Sequence, residues 1–342
     1  MRAVVRRESG GVRVTHVPDP TIEEPTDAVV RVVLASVCGT DLWGYRGEAG
    51  IPPGPRAGHE FLGVVEDVGR DVEQLHRGDL VLAPFLWADG TCVPCRSELS
   101  TSCPQGGMWG GAHDGGQGEG VRVPFADATL VRIGLPADDE RLPTVLTLAD
   151  VMATGSHAAR AARVSQSAVT AVVGDGAVGL CGVLAARRAG AERVVLFGRH
   201  PARAVIGRAF GATDVITERG EEALARLHDT TGGQGADSVL ECVGTQLAVD
   251  TALALVRDGG AVALVGAPHG GISDLAPIFL RNLTVSGGLA PARSLIPALL
   301  QDVLAGRLDP SPVFDLATDL AGVPAAYEAM AERTALKALI RV

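Results

Sequence analysis

The decisive stretch of this sequence is Thr170-Ala171-Val172-Val173-Gly174-Asp175-Gly176-Ala177-Val178-Gly179. The apolar run that opens it predicts a buried strand, and the Ala- and Leu-rich residues 178–189 predict a helix. Between them stands G-x-G-x-x-G, in which the first glycine makes a tight turn, the second lets a pyrophosphate approach the backbone, and the third lets the helix pack on the strand. The positive end of the helix dipole attracts phosphates. The stretch therefore predicts a dinucleotide-binding site; the alternative is a glycine-rich loop in an unrelated α/β domain.

The segments around this stretch extend the pattern. Short apolar runs at 194–197, 238–240 and 261–265 predict further strands, and residues 247–255 predict a helix between two of them. Strands that alternate with helices are typical of a doubly wound parallel sheet, so we expect a Rossmann fold here. Residues 1 to about 130 differ, because they hold short β-rich runs with many glycine turns.

The end of the second strand carries the information on cofactor preference. NAD-binding domains usually place an acid there, which binds the ribose 2′-hydroxyl. This strand ends at Phe197, and Gly198 offers no carboxylate. Arg199 follows, and a guanidinium can pair with a 2′-phosphate. The pattern favours NADP(H), with His200 and Arg203 nearby as further contacts; the alternative is a solvated loop that binds adenosine by shape only.

Composition and charge exclude several classes of function. The chain has 342 residues and a net charge of −10, so a protein that binds the phosphate backbone of nucleic acids is not expected. The first ten residues lack the apolar region of a signal peptide, and no uncharged apolar run reaches the ~20 residues that span a bilayer. We expect a cytoplasmic protein without membrane contact, in which cysteines serve metal binding or core packing.

Three cysteines lie close together within one long loop. Cys92, Cys95 and Cys103 follow an x2 and x7 spacing, and Asp89 stands three residues before the first of them. A tetrahedral structural zinc site needs four ligands, and the Asp89 carboxylate can complete the set. The loop therefore predicts a structural zinc site, and the alternative is a metal-free reduced loop.

A second set of metal-binding residue types is scattered along the chain. Cys38, His59 and Asp150 are all competent zinc ligands. Each also has a plain structural explanation, as a buried thiol, a core histidine and an acid at a helix start. Their spacing alone does not join them.

Taken together, these elements resemble the zinc-dependent medium-chain dehydrogenase/reductase family, the alcohol dehydrogenases, over essentially the whole chain. The stretch from Gly58-His59-Glu60 to Gly69 is similar to the family's zinc signature, and Cys38-Gly39-Thr40-Asp41 is similar to its first-ligand motif. Asp150-x3-Thr154-Gly155 is similar to the third-ligand motif of the branch that uses Asp. The resemblance implies a GroES-like, partly open β-barrel catalytic domain at 1–150 and 286–342, and a Rossmann domain at 151–285.

The resemblance also implies roles for individual residues. Cys38, His59 and Asp150 would hold a catalytic zinc, Glu60 would exchange with its open ligand position, and Thr40 would touch the substrate oxygen. The family's structural site uses four cysteines, and Asp89 replaces the first. The implied cofactor contacts outside the glycine motif and the second strand's end are Thr154, Val243, Val265, Ala267, Leu289 and Lys337.

Some positions depart from the family pattern and are assigned to the substrate pocket. Trp43 stands where many members carry a histidine that ends a proton relay. Gln117 and Gly120 stand where aromatic residues are common, which implies a more polar and roomier wall. Trp109 is expected in the same pocket.

The sequence thus predicts an NADP-dependent zinc alcohol dehydrogenase or carbonyl reductase with two zinc ions per chain, a small alcohol or carbonyl substrate, and a homodimer or homotetramer. Two alternatives remain open. The polar wall would also suit a polyol or sugar-like dehydrogenase. A quinone-reductase-like dinucleotide-binding protein without dehydrogenase activity is the other, although the complete set of Cys38, His59 and Asp150 argues against it.

Overall fold

The computed structural model describes residues 1–8, 10–48 and 54–342. These residues form two compact units, which are described separately. The first unit comprises Met1–Asp150 and Pro291–Val342, and the second comprises Val151–Ala290. No described helix is long and apolar enough to cross a membrane.

The described residues form strands and helices that are numbered in chain order. The strands are β1 Arg2–Arg6, β2 Val12–His16, β3 Ala28–Ser36, β4 Glu60–Val68, β5 Leu80–Ala83, β6 Leu86–Trp87, β7 Gly107–Met108, β8 Gly120–Val123, β9 Val131–Arg132, β10 Val169–Val173, β11 Arg193–Phe197, β12 Asp214–Ile216, β13 Ala236–Glu241, β14 Val256–Leu264, β15 Thr284–Gly287, β16 Leu316–Asp319 and β17 Ala338–Arg341. The helices are α1 Asp41–Arg46, α2 Val93–Arg96, α3 Ala126–Thr129, α4 Leu142–Leu146, α5 Val151–Ala161, α6 Ala177–Arg188, α7 Pro201–Ala209, α8 Gly220–Thr231, α9 Gln246–Leu255, α10 Ala276–Leu280, α11 Ala292–Leu304 and α12 Val323–Ala331.

The first unit is built on a largely antiparallel sheet with the strand order β16-β17-β3-β4-β5-β9. β3 is its centre. One edge of β3 pairs with β4, while on the other edge Ala28–Arg31 pair with β8 and Leu34–Ser36 pair with β17. The core of this unit contains Val30, Phe61 and Val121, which are fully buried. Because β17 lies near the C-terminus, the last segment of the chain completes this sheet.

The second unit contains a six-stranded parallel sheet in the order β12-β11-β10-β13-β14-β15. Numbered within the unit, this is 3-2-1-4-5-6, the order of the doubly wound dinucleotide-binding fold. The strands predicted from apolar runs are confirmed as β10, β11, β13 and β14. In β10 and β11 every residue but the first is buried, because helices cover both faces of such a sheet.

The expected boundary at residue 286 needs a correction. Residue 286 lies within β15, whose Thr284–Gly287 pair in parallel with Ala261–Leu264 of β14. The sixth strand of the sheet would be lost if the second unit ended at 285. The chain returns to the first unit at Pro291, just before α11.

Candidate active site

Four potential metal ligands converge in the first unit. The ligand atoms of Cys38, His59, Glu60 and Asp150 all lie within 4.8 Å of one another. Cys38 Sγ is 3.5 Å and His59 Nε2 is 3.3 Å from Oδ2 of Asp150. Since β3 and β4 pair with Ser36 opposite Glu60, the end of one strand lies beside the start of the next, which brings Cys38 to His59. Strand pairing thus makes the connection that sequence spacing could not.

A carboxylate behind His59 fixes the orientation of its ring. Asp41 Oδ1 lies 3.2 Å from His59 Nδ1, and Asp41 Oδ2 accepts a hydrogen bond of 3.0 Å from the backbone N–H of Cys38. This leaves Nε2 facing Cys38 and Asp150, which is the arrangement of a metal-ligating histidine with an outer carboxylate. Burial alone would lower the pKa of His59, but the nearby Asp41 and Cys38 raise it well above its ordinary value.

Gln117 belongs to the support of this site rather than to a pocket wall. Its side chain is fully buried and its Nε2 donates to the carbonyl of Ser36 at 2.9 Å and lies 3.5 Å from Asp41 Oδ2. The hydroxyl of Tyr327 donates to Oε1 of Gln117 at 2.8 Å. The expectation that Gln117 makes the substrate pocket polar is therefore wrong in this arrangement, because its amide is committed to groups behind His59.

Lys337 also lies elsewhere than expected. Its Nζ is 2.6 Å from Oε2 of Glu60, and both side chains are 1% exposed. It also donates to the carbonyl of Val37, while the hydroxyl of Ser36 donates to Glu60. Burial would lower the pKa of Lys337, but the Glu60 carboxylate raises it above its ordinary value. The ammonium that was expected to bind the cofactor neutralises Glu60 in the first unit.

Thr40, Trp43 and Trp109 lie in different environments. Thr40 Oγ1 lies 3.4 Å from His59 Nε2, next to the ligand cluster. Trp43 is partly buried and packs against the core of the first unit. Trp109 is 2% exposed, donates its ring N–H to the Pro84 carbonyl at 2.9 Å, and packs against Trp87 with a centroid distance of 4.6 Å and the ring planes tilted by 55°. Trp109 is therefore a core residue and not a pocket residue.

The cysteine loop brings its four predicted ligands together. The ligand atoms of Asp89, Cys92, Cys95 and Cys103 lie within 4.8 Å of one another. Asp89 Oδ1 accepts from the backbone N–H of Thr91 at 2.7 Å and of Cys92 at 3.0 Å. These bonds turn its carboxylate toward the sulfurs and, with the Cys92 amide as the largest cause, hold its pKa far below the usual range. Burial is the main cause that raises the pKa of Cys95 to about 12.

The glycine motif has the geometry of a phosphate-binding turn. It joins β10 to α6, and Gly174 has φ of +112°, which side chains disfavour. A Cβ on Gly179 would lie 1.9 Å from the Gly174 carbonyl oxygen, so only glycine fits there. A Cβ on Gly176 would meet no described atom within 4 Å, so space is open beside the N-terminus of α6. Anions bind at such helix ends.

The other expected cofactor contacts within the second unit lie around the same sheet. Val243 follows β13, and Val265 and Ala267 follow β14, at the carboxyl ends of the strands where doubly wound folds bind ligands. Val243 is 40% exposed and Leu289 is 58% exposed. Thr154 is buried on α5.

Asp175 also belongs to this region, although it is not among the residues predicted from the sequence. Its Oδ2 accepts hydrogen bonds from the backbone N–H of Arg199 at 2.8 Å and of His200 at 3.0 Å. A carboxylate does therefore stand at the end of β11, contrary to the expectation drawn from Gly198, and it comes from the glycine motif. Its position as a variable residue of G-x-G-x-x-G hid it.

Each of the two units matches a family of known proteins. The model of the alcohol dehydrogenase GroES-like domain matches residues 24–133, and that of the zinc-binding dehydrogenase matches residues 177–305. The probable zinc-binding alcohol dehydrogenase Rv1895 of Mycobacterium tuberculosis is 36% identical over 323 residues, which cover 92% of this chain and 81% of that one.

Solved structures extend the likeness to the whole chain. Alcohol dehydrogenase TADH from Thermus sp. ATN1 shares 34% identity with a TM-score of 0.91 and full coverage of both chains. A zinc-binding dehydrogenase from Sinorhizobium meliloti 1021, solved with NADP and described there as putative, shares 25% identity with a TM-score of 0.85, covering 100% of this chain and 99% of that one.

Fold and comparisons define a dinucleotide-binding oxidoreductase with a GroES-like unit and a Rossmann unit. The chain belongs to the zinc-dependent alcohol dehydrogenases of the medium-chain dehydrogenase/reductase family.

Proposed function

We propose that this protein is an NADP(H)-dependent zinc alcohol dehydrogenase or carbonyl reductase that holds two zinc ions per chain. The observation that carries the proposal is the convergence of Cys38, His59 and Asp150 on one point beside the Thr40 hydroxyl. A thiolate, an imidazole and a carboxylate fit a catalytic zinc, whose site keeps three protein ligands and one open position. The four donors of the cysteine loop fit a closed structural site.

The residues around the metal ligands have separate roles in binding, orientation and proton transfer. A zinc ion held there supplies Lewis-acid polarisation of the substrate oxygen. The nicotinamide supplies the hydride acceptor or donor. Thr40 takes up or returns the proton at the substrate oxygen, because its hydroxyl lies beside the ligand cluster. Asp41 holds the His59 ring so that Nε2 points into the cluster.

Glu60 has a more constrained role than a free exchanging ligand. Its carboxylate lies within the ligand cluster but is bound by Lys337 and Ser36. An exchange of Glu60 onto the metal requires it to leave a buried ion pair, and a buried charge without its partner is costly. We therefore expect Glu60 to stay with Lys337 for most of the cycle.

NADP(H) is favoured by the basic side chains that follow β11. Arg199 is exposed, and His200 and Arg203 stand near it, so the loop can offer several donors to a 2′-phosphate. The Sinorhizobium meliloti relative binds NADP in its solved structure, which supports the same preference. A polyol or sugar-like substrate is less favoured than the sequence implied, because Gln117 is buried behind His59. The homodimer or homotetramer and the cytoplasmic location remain predictions.

The test is turnover of the zinc-loaded protein on a panel of alcohols, polyols and ketones, each with both cofactors and followed by absorbance. We expect activity with NADP(H) on simple alcohols or ketones and loss of activity after treatment with a chelator. Turnover with NAD(H) only would contradict the cofactor proposal. No turnover with any member of the panel would instead favour a dinucleotide-binding role.

A further inference from the structure

We propose that Asp175 positions the basic side chains of the β11–α7 loop and of the first turn of α7 for the 2′-phosphate of NADP(H), and that it does so from the space an NAD enzyme would give to an acid at residue 198. This inference rests on the proposed NADP(H) preference. It assigns a specificity role to the variable residue of the glycine motif.

The Asp175 carboxylate is surrounded by hydrogen-bond donors and positive charge. Beyond the backbone N–H groups of Arg199 and His200, the His200 ring Nδ1 lies 2.8 Å from Oδ2 and 3.1 Å from Oδ1. The Arg203 guanidinium lies 3.7 Å from Oδ1. A carboxylate offers about four acceptor positions, and the two backbone N–H groups and the His200 ring occupy most of them, chiefly on Oδ2, while Arg203 adds an ion pair. Asp175 therefore has little left with which to accept the two ribose hydroxyls, as an acid in an NAD enzyme would do.

The Asp175 carboxylate carries a negative charge that faces basic side chains. Burial alone would raise the pKa of Asp175, but the His200 amide and ring and the Arg203 charge lower it, so the carboxylate is ionised at neutral pH. Its side chain is only 11% exposed and its charge faces His200 and Arg203. Arg199 contacts Asp175 through its backbone N–H, and its side chain is exposed. The exposed guanidinium thus stands beside two basic groups that Asp175 holds in place.

Asp175 also leaves no room for a side chain at residue 198. A Cβ on Gly198 would lie 2.5 Å from the Cβ and 2.8 Å from Oδ2 of Asp175. A Cβ atom is fixed to its backbone, so two Cβ atoms this close can separate only if the loop moves. Residues 175 and 198 therefore cannot both carry an acidic side chain, and the usual NAD arrangement cannot be added here while Asp175 is present.

The experiment measures the dissociation constants of NADP⁺ and NAD⁺ for the zinc-loaded wild type, Asp175→Asn and the control Asp237→Asn. Asp237 is a matched control because it also accepts a backbone N–H, from Val169, and pairs with an arginine, Arg257, in the same unit. The substitution to Asn keeps the size of the side chain but removes its charge. We expect Asp175→Asn to weaken NADP⁺ by about tenfold and NAD⁺ by less than about twofold, because charge-assisted bonds to His200 and Arg203 are lost.

Several outcomes decide the matter. Equal weakening of both cofactors would overturn the inference, since Asp175 would then only shape the loop. Tighter NADP⁺ would also overturn it, because the carboxylate would then be repelling the phosphate. A wild type that binds NAD⁺ more tightly than NADP⁺ would contradict the proposed NADP(H) preference itself. A wild type that prefers NADP⁺, together with an Asp175→Asn variant whose two dissociation constants are unchanged, would overturn this inference alone.

A second variant covers the case in which Asp175→Asn does not fold. Arg203→Ala should lower NADP⁺ affinity selectively, because Arg203 is one of the groups that Asp175 holds. If Arg203→Ala leaves the ratio of the two affinities unchanged, the inference is contradicted. Where both variants fold, the double variant should lose less than the sum of the two single losses.

Discussion

Cys38 Sγ lies 3.5 Å from Oδ2 of Asp150, although 112 positions separate the two residues along the chain. Asp150 is the last residue of the first unit before α5, and Cys38 follows its central strand. The full set of proposed catalytic zinc ligands therefore belongs to one unit. The site is formed by the pairing of β3 with β4 and by the segment that leaves the sheet.

Thr40→Ala should keep the catalytic metal and slow turnover by about 10²–10⁴-fold, the loss typical of a positioned acid or base. The reason is that the hydroxyl beside His59 is lost, together with the γ-methyl group, while the proposed zinc ligands stay in place. Thr40→Ser is the control and should recover most of kcat. Zinc content and kcat of both variants check this, and an unimpaired Thr40→Ala would remove Thr40 from the mechanism.

Gln117→Leu should destabilise the protein by about 1–3 kcal/mol, because it leaves the Tyr327 hydroxyl and the Ser36 carbonyl without their buried partner. Urea unfolding measures this. Tyr327→Phe, which removes a single donor, should cost less. A substrate preference that changes while stability does not would restore Gln117 to the pocket wall.

Cys95→Ala should release the metal of the cysteine loop and lower Tm by at least about 5 °C, because a structural zinc contributes to the folding of the segment it holds. Asp89→Cys should retain the metal, since a thiolate is an equally competent ligand there. Thermal unfolding with and without chelator provides the measurement. A Tm that ignores the chelator in the wild type would mean that the loop holds no metal.

Arg199→Ala should weaken NADPH by about 10–150-fold, the equivalent of one charged hydrogen bond, and leave NADH nearly unchanged. Gly198→Asp alone should harm both cofactors, because the new side chain collides with Asp175. Asp175→Gly combined with Gly198→Asp relieves the collision and should move preference toward NADH. Values of kcat/KM for both cofactors test this, and a clean switch by Gly198→Asp alone would contradict the steric argument.

Local patterns were sufficient for the Rossmann unit. Its strands are apolar runs and its phosphate turn is a short glycine motif, so the sequence predicts both. The cysteine loop was also readable, because its four ligands lie within 15 residues, Asp89 to Cys103. The catalytic ligands were not, since their meeting depends on strand pairing across the first unit, and only the family resemblance joined them.

Burial explains the expectations that failed. Trp109, Gln117 and Lys337 carry side chains typical of pockets or cofactor contacts, but each is buried among partners that lie far away in the sequence. The close approach of Asp175 to Gly198 was likewise invisible, because it depends on the distance between two parallel strand ends. Residue type suggested a function in each case, and tertiary contacts decided otherwise.

The most direct test of the account is the zinc content and turnover of Cys38→Ser beside those of wild type and of Cys181→Ser. Cys181 is an equally buried cysteine on α6 and far from either ligand cluster in the sequence, so it controls for the loss of a core thiol. The account predicts that Cys38→Ser loses about one zinc per chain and its turnover, while Cys181→Ser keeps both. Normal zinc content and normal turnover in Cys38→Ser would contradict it.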